Sequence, residues 1–169
     1  SIRLKTPSGG VVDLLALSEK KLRPLRREMG FVFQDPKASL NPKMTVGWSV
    51  AEPLAIHASL SESDTRTEVV RLLDDVGLLP EHASRFPHQM SGGQLQRVAI
   101  ARALALKPRV ILLDEAVSSL DSVVQDRILT LLQELQSTHG VAYLFITHDL
   151  RAARRLAHEV AVLQDGTIV

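Results

Sequence analysis

Residues 90–121 decide the fold, through Met90-Ser91-Gly92-Gly93-Gln94-Leu95-Gln96-Arg97, then Val110-Ile111-Leu112-Leu113-Asp114-Glu115, then Ser119-Leu120-Asp121. The first segment is a glycine-rich turn that runs directly into a helix, for which Ser91 is a suitable N-cap. The second is a short apolar strand that ends in two carboxylates, and the third is a loop with a further aspartate. A buried strand between two helices indicates an α/β domain with a mainly parallel sheet.

Strands alternate with helices on both sides of this stretch. Strands are predicted at 1–6, 29–33, 110–113 and 141–147, and a hairpin at Asp165-Gly166 joins 160–163 to 167–169. Helices are predicted over 19–27, over 91–107 with Pro108 as the stop, over 122–138 with Gly140 as the stop, and over 149–157. Residues 35–44 contain two prolines and an asparagine and are predicted to form a loop.

Between residue 46 and about residue 84, apolar residues recur with the period of an α-helix. Its clearest stripe, which Gly77 ends, consists of Val69, Leu72, Leu73 and Val76. The sequence therefore predicts a helical subdomain at 46–90, inserted between a first part of the core at 1–45 and the remainder at 91–169.

Composition narrows the class of protein. The chain has 169 residues, of which 45% are apolar and 23% charged, as in an ordinary globular domain. A net charge of +1 gives no electrostatic basis for nucleic-acid binding, and the absence of cysteine excludes disulfides and thiolate metal sites. The longest apolar runs fall far below the roughly 18 residues of a membrane span.

Several polar side chains stand where a strand ends or a helix begins. An aspartate at the carboxyl edge of a parallel sheet, here Asp114, can hold Mg²⁺, and the neighbouring Glu115 can polarise an attacking water. Gln34 ends another strand and offers an amide oxygen to the same ion, whereas His148 follows a third strand and can bond a terminal phosphate. The free N–H groups at 91–94 favour a phosphate at the helix N-terminus. Taken singly, each motif also fits a polar turn, a capped helix or a structural histidine.

The combination resembles the nucleotide-binding subunit of an ABC transporter over essentially the whole chain. Gln34 matches the Q-loop glutamine, and Ser91, Gly92, Gly93 and Gln94 match the signature, with Met90 where leucine is usual. Asp114 matches the Walker B aspartate, Glu115 the catalytic glutamate, and His148 the switch histidine, while 119–121 match the D-loop. The resemblance implies a P-loop NTPase-like core and the cofactors ATP and Mg²⁺. It implies catalytic roles for Glu115 and His148, metal contacts from Asp114 and Gln34, and nucleotide contacts from Gln34, Ser91, Gly92, Gly93, Gln94 and Asp121.

The same resemblance implies partners and a place in the cell. In that family ATP lies between two such domains arranged head to tail, as a homodimer or heterodimer, and closure drives transmembrane permease subunits. The expected location is peripheral, at the cytoplasmic face of the cell membrane. Residues 33–45 are similar to the importer subgroup for oligopeptides, dipeptides and sometimes nickel, which implies an indirect partnership with a solute-binding protein and no nucleic acid.

Two departures from the family pattern stand out. Ala116-Val117 replaces the more usual Pro-Thr, and no G-x-x-x-x-G-K-[ST] phosphate loop occurs anywhere in the chain. We therefore expect a fragment of a longer subunit that binds ATP weakly and hydrolyses none. The missing segment would also leave apolar faces of 110–113 and 141–146 exposed.

Two other functions remain open at this point. One is a soluble ABC-type ATPase of DNA maintenance, but such relatives insert long coiled coils or zinc modules. Here only 57 residues separate Gln34 from Ser91, without cysteine or sustained heptads. The other is a non-catalytic or degenerate domain, which the missing phosphate loop favours and the intact Glu115 and His148 disfavour.

Overall fold

The computed structural model of the chain describes residues 3–5 and 10–169. The strands are β1 (Arg3–Lys5), β2 (Val11–Asp13), β3 (Met29–Val32), β4 (Val110–Asp114), β5 (Ala142–Ile146), β6 (Leu163–Gln164) and β7 (Thr167–Ile168). The α-helices are α1 (Glu19–Leu25), α2 (Pro36–Ser39), α3 (Val46–His57), α4 (Glu62–Asp75), α5 (Gly92–Leu104), α6 (Ser122–His139) and α7 (Leu150–Leu156). The strand predicted at 1–6 is thus seen at Arg3–Lys5, and the rest of that prediction lies outside the described residues.

A parallel sheet in the order β3-β4-β5 forms the centre of the fold. Phe31 pairs with Leu112, and Leu112 pairs in turn with Leu144, so the three strands run in register. Two small antiparallel pairs, β1-β2 and β6-β7, are separate from it. The predicted α/β class with a mainly parallel sheet is confirmed.

The two faces of this sheet differ in burial. Val32, Ile111 and Leu113 point to the face on which α5 and α6 pack, and they are fully buried. On the opposite face Leu144 and Ile146 are 55% and 46% exposed. The prediction of a buried strand at 141–147 is therefore wrong for alternate residues, because no described element covers that face. The expectation of exposed apolar side chains is confirmed for 141–146. It is wrong for 110–113, where Val110 and Leu112 are half-buried and Ile111 and Leu113 are buried.

Residues 46–90 are largely helical, as their hydrophobic period predicts, and their division from the core as a subdomain stays a prediction. Helices α3 and α4 pack with α5, and short 3₁₀ turns lie at Pro80–Ser84 and Pro87–Gln89. The buried core of this part includes Val50, Leu54, Leu72, Leu73 and Val98. Helix α5 also lies against the sheet, where a side chain at Gly30 would approach the Ala103 carbonyl to 2.8 Å. The glycine thus lets α5 connect the insertion to the sheet.

Local capping sets most of the helix boundaries. Side chains of Thr45, Ser61, Ser91, Asp121 and Asp149 accept hydrogen bonds from first-turn N–H groups of the helices that they precede. Gly140 has a φ of 64° and ends α6 in the left-handed conformation that glycine tolerates.

Four predicted boundaries need correction. The predicted loop at 35–44 contains the short helix α2, because Asp35 caps it and Pro36 occupies its first turn. Helix α5 ends at Leu104, before Lys107, which takes a left-handed φ of 51°. Helix α1 ends at Leu25 and continues as a 3₁₀ turn. The hairpin strands are only two residues long, although Asp165 and Gly166 both have the positive φ that a type I′ turn requires.

Among the described helices, none combines the length and apolar character needed to cross a membrane.

Candidate functional site

The carboxyl edge of the parallel sheet gathers the predicted site residues that follow strands. Gln34 lies two residues beyond β3, Asp114 ends β4, Glu115 comes next, and His148 lies two residues beyond β5. Because the three strands are parallel, these ends meet at one edge. Asp114 pairs in register with Ile146, which places Asp114 and His148 at the same end of the sheet, as the sequence predicts.

Glu115 is the centre of this edge cluster, which we define as Gln34, Asp114, Glu115 and His148. The Gln34 amide donates to Glu115 Oε2 at 2.7 Å, and His148 Nδ1 lies 3.2 Å from Glu115 Oε1. The backbone N–H of Glu115 donates to the Ile146 carbonyl at 3.0 Å. Both carboxylate oxygens are therefore held by residues that follow neighbouring strands. Within the described residues the Gln34 amide oxygen accepts no hydrogen bond, so it could bind a cation.

The backbone of Glu115 is strained. Its φ is 47°, in the left-handed region that side chains other than glycine rarely adopt. Such residues persist where the surrounding structure holds them, and they concentrate at functional sites. The conformation turns the chain sharply after β4 and directs the carboxylate toward Gln34 and His148.

Asp114 fits a metal-ligand role by its lack of other partners. Within the described residues its half-buried carboxylate makes no hydrogen bond or ion pair. No cluster of three His, Cys, Asp or Glu side chains suited to a metal occurs there either. Mg²⁺ typically takes one or two carboxylates and completes its shell with water and phosphate oxygens. Asp114 and the free Gln34 oxygen fit that requirement.

The signature segment forms a second, separate group at the start of α5. Ser91 and Gln94 make a reciprocal capping box, in which Ser91 N–H donates to Gln94 Oε1 at 2.9 Å and Gln94 N–H donates to Ser91 Oγ at 3.3 Å. The first-turn N–H groups of Gly92 and Gly93 have no partner within the helix. They are suited to an anion.

Close packing places this helix N-terminus beside that of α6. A side chain at Gly93 would approach Val124 Cγ1 to 2.6 Å, and one at Gly92 would lie 3.9 Å from Leu120. Glycine is thus required at Gly93 for α5 to approach α6. Within the described residues, no hydrogen bond joins the signature to the edge cluster, so the structure does not unite all predicted site residues in one contact network.

Asp121 has a structural role that its sequence pattern did not reveal. Its Oδ1 accepts from the N–H groups of Val123 and Val124 and so caps α6. The nucleotide contact predicted for Asp121 stays a prediction.

Sequence reasoning missed two contacts around the site and one buried amide that, within the described residues, has no hydrogen-bond partner. Gln125 of α6 donates to Asp149 Oδ2 at 2.9 Å, and this bond is the main reason why the pKa of Asp149 lies below its ordinary value. Arg102 of α5 donates to the Ser39 carbonyl at 2.7 Å and so ties α5 to the segment after Gln34; burial lowers the pKa of Arg102. The amide of Gln96 is fully buried without a hydrogen-bond partner. None of these has a local sequence signal, because the partners lie far apart in the chain.

The ABC transporter family profile matches residues 2–118. The glutathione import ATP-binding proteins GsiA of Escherichia coli strain K12 and of Shigella boydii serotype 4 are each 54% identical to the chain over 173 residues. These alignments cover 99% of the chain but 28% of each relative, so the chain spans under a third of their length.

Solved structures share the fold. The ATP-binding cassette MJ0796, in a dimeric post-hydrolysis state bound to ADP and Pi, has 36% identity and a TM-score of 0.78 over 90% of this chain and 66% of its own. The protein cbiO1 from Clostridium perfringens, part of the ABC transporter complex cbiONQ, has 31% identity and a TM-score of 0.83 over 98% of this chain and 66% of its own. The P-loop NTPase-like α/β fold is thereby confirmed.

Proposed function

The chain belongs to the ABC transporter family, and we propose on that premise that it forms most of an ATP-hydrolysing domain that drives solute import. The observation that carries the proposal is the edge cluster, in which Gln34 and His148 both bind the carboxylate of Glu115. Family resemblance alone would not distinguish an active domain from a degenerate one. The assembled cluster favours the active one.

The cluster is arranged for hydrolysis of a phosphoanhydride. We assign Glu115 as the general base that orients and deprotonates an attacking water, because its oxygens are fixed at the sheet edge. His148 is 71% exposed on its side chain and is free to turn its other ring nitrogen toward a phosphate. Asp114 and Gln34 would hold Mg²⁺, which neutralises phosphate charge when bound.

Spatial separation of the signature from the edge cluster supports a head-to-tail pair. We propose that Ser91, Gly92 and Gly93 face a nucleotide held by a second domain, since these groups share no bond with Glu115. The second domain is either a second copy or a homologue. Permease subunits and, through them, a solute-binding protein complete the proposed assembly at the cytoplasmic face of the membrane.

We propose small peptides or related solutes as the imported cargo. Residues 33–45 resemble the peptide-importer subgroup, and the relatives quoted above are named for glutathione, which is a tripeptide.

Glu115→Gln in the complete subunit tests the proposal. The substitution keeps the size of the side chain and removes the base, so ATP hydrolysis should fall by about 10²–10⁴-fold while ATP binding persists. Glu159→Gln, at an exposed position, is the matched control and should hydrolyse at the wild-type rate. Turnover by the Glu115 variant within about threefold of wild type would remove Glu115 from the catalytic role.

A further inference from the structure

A side-chain bond connects α6 to the residue after His148. Gln125 Nε2 donates to Asp149 Oδ2 at 2.9 Å, while Asp149 Oδ1 accepts from the N–H of Arg151 at 2.8 Å and so caps α7. The two oxygens of one carboxylate thus bind different elements. Asp149 is in this way fixed from two directions.

His148 itself has little else to hold it. Its ring is 71% exposed, and within the described residues its one hydrogen bond goes to Glu115. Strand β5 ends at Ile146, so sheet pairing does not extend to His148. The position of His148 therefore depends on its neighbour Asp149, whose N–H also donates to Thr147 Oγ1 at 3.0 Å.

Gln125 reaches Asp149 from the first turn of α6. Its backbone N–H donates to the Asp121 carbonyl at 2.8 Å, and Asp121 caps the same helix. A cavity of about 270 Å³ lies between α6 and α7 beside the bond, and the charged side chains around it are those of Asp126, Asp149, Arg151 and Arg155. The buried side chains of Leu129 and Ala152 also line this cavity. Among the described residues, the other side-chain bonds between α6 and α7 involve Arg155, near the far end of α7, so Gln125 is the α6 side chain that binds the residue next to His148.

We propose that Gln125 is a positioning residue, which holds the turn at 147–149 so that His148 stays against Glu115. The proposal rests on the proposed ATPase function of the edge cluster. Through Gln125, the N-terminal turn of α6, which Asp121 caps, and the turn after β5 then form one hydrogen-bonded unit. A movement of the α6 N-terminus would then be transmitted to His148.

Three variants of the complete subunit test this inference. Gln125→Leu removes the bond, and Gln125→Glu places two carboxylates in contact without changing shape. Gln133→Leu is the matched control, because Gln133 also joins α6 to α7, through a 2.8 Å bond to the Arg155 carbonyl, but lies two helical turns away from the site. Turnover number, KM for ATP and the pH profile are measured for each, alongside wild type and Glu115→Gln.

Gln125→Leu should lower kcat about tenfold, as expected for a lost bond to a charged group, and change KM by less than about twofold. Gln133→Leu should keep kcat within about twofold of wild type. Gln125→Glu, which sets a like charge against the Asp149 carboxylate, should lower kcat at least as much as Gln125→Leu. Equal losses in Gln125→Leu and Gln133→Leu, or a wild-type kcat in Gln125→Glu, would overturn the proposal.

Amide hydrogen exchange gives a readout that does not depend on hydrolysis. Exchange at Arg151 and Ala152 should accelerate in Gln125→Leu and stay at the wild-type rate in Gln133→Leu; unchanged exchange in both would overturn the proposed link. If wild type itself hydrolyses no ATP, the proposed function fails, and the exchange experiment still decides whether Gln125 positions the turn.

Discussion

Glu115 combines a reactive carboxylate with an unfavourable backbone conformation. The left-handed φ of 47° costs on the order of 1–2 kcal/mol for a residue with a Cβ. Bonds from Gln34 and His148 offset part of this cost. The backbone conformation that positions the candidate catalytic base therefore lowers the stability of the chain at this residue.

A pair of substitutions at Glu115 would measure this strain. Both Glu115→Ala and Glu115→Gly remove the carboxylate, but only alanine retains the steric conflict, so the glycine variant should be more stable by about 1 kcal/mol. The exposed helical residue Glu134 is the control, where alanine should be more stable than glycine by about 1 kcal/mol. Urea-induced unfolding of the four variants gives both differences. The same order of stability at the two sites would show that Glu115 is not strained.

Helix α5 contains two glutamines whose surroundings differ. Gln94 closes the capping box with Ser91, whereas the amide of Gln96 is buried and finds no hydrogen-bond partner among the described residues. A partnered amide contributes to stability, but an unpartnered buried one costs desolvation energy. Two similar side chains in one helix should therefore respond in opposite ways to the same substitution.

Methionine, which is close to glutamine in size, distinguishes them. Gln94→Met should lower the free energy of unfolding by about 0.5–1.5 kcal/mol because the Ser91 N–H loses its acceptor. Gln96→Met should raise the free energy of unfolding by about 1 kcal/mol, since the apolar side chain carries no desolvation cost. Denaturant midpoints at constant m-value are the measurement. A loss of stability in Gln96→Met would show that the buried amide has a partner in solution.

The Asp149 cap makes the stability of α7 depend on pH. Hydrogen bonds from Gln125 and from the α7 backbone hold the pKa of Asp149 below its ordinary value. Its contribution is therefore fully present above that ordinary value and is lost as the pH falls through the lower, folded-state pKa. The stability difference between wild type and Asp149→Ala, measured by urea unfolding, should shrink as the pH falls from about 6 to about 3. A difference that grew on acidification would contradict the shift.

At the scale of the molecule, α5 and α6 cover one face of the sheet and leave apolar side chains of the other face exposed. Within the described residues no hydrogen bond joins the signature to the edge cluster, and none of these residues forms a phosphate cradle beside Asp114. The chain thus has side chains suited to hydrolysis and backbone groups suited to a nucleotide held by a second domain. It has few groups that would bind a nucleotide of its own. Its affinity for ATP should be correspondingly low.

Isothermal titration of the purified 169-residue chain with Mg-ATP tests this expectation. No heat of binding should be detected at micromolar nucleotide, and no phosphate should be released, because a lone carboxylate attracts a polyanion poorly even with Mg²⁺ present. Titration of the complete subunit is the positive control. Micromolar binding by a monomer of the chain would show that the nucleotide site has been misplaced.

The sequence by itself determined most of the helices and the central strands, and it supplied the residues of the candidate site. Caps such as Ser91, stops such as Gly140, and apolar runs such as 110–113 act within a few neighbouring residues, so local pattern is enough to recognise them. The order of strand ends also predicted that Asp114 and His148 would share one edge, because parallel strands leave no other arrangement.

Tertiary structure alone decided which of these groups touch. The bonds of Glu115 to Gln34 and His148, and that of Gln125 to Asp149, join residues 81, 33 and 24 positions apart, over which sequence pattern carries no information. The exposure of one face of β5 likewise depends on which elements pack against it. An apolar strand has the same sequence pattern whether one face or both are covered. Local interactions fix the elements of this chain, and only packing between them fixes the site.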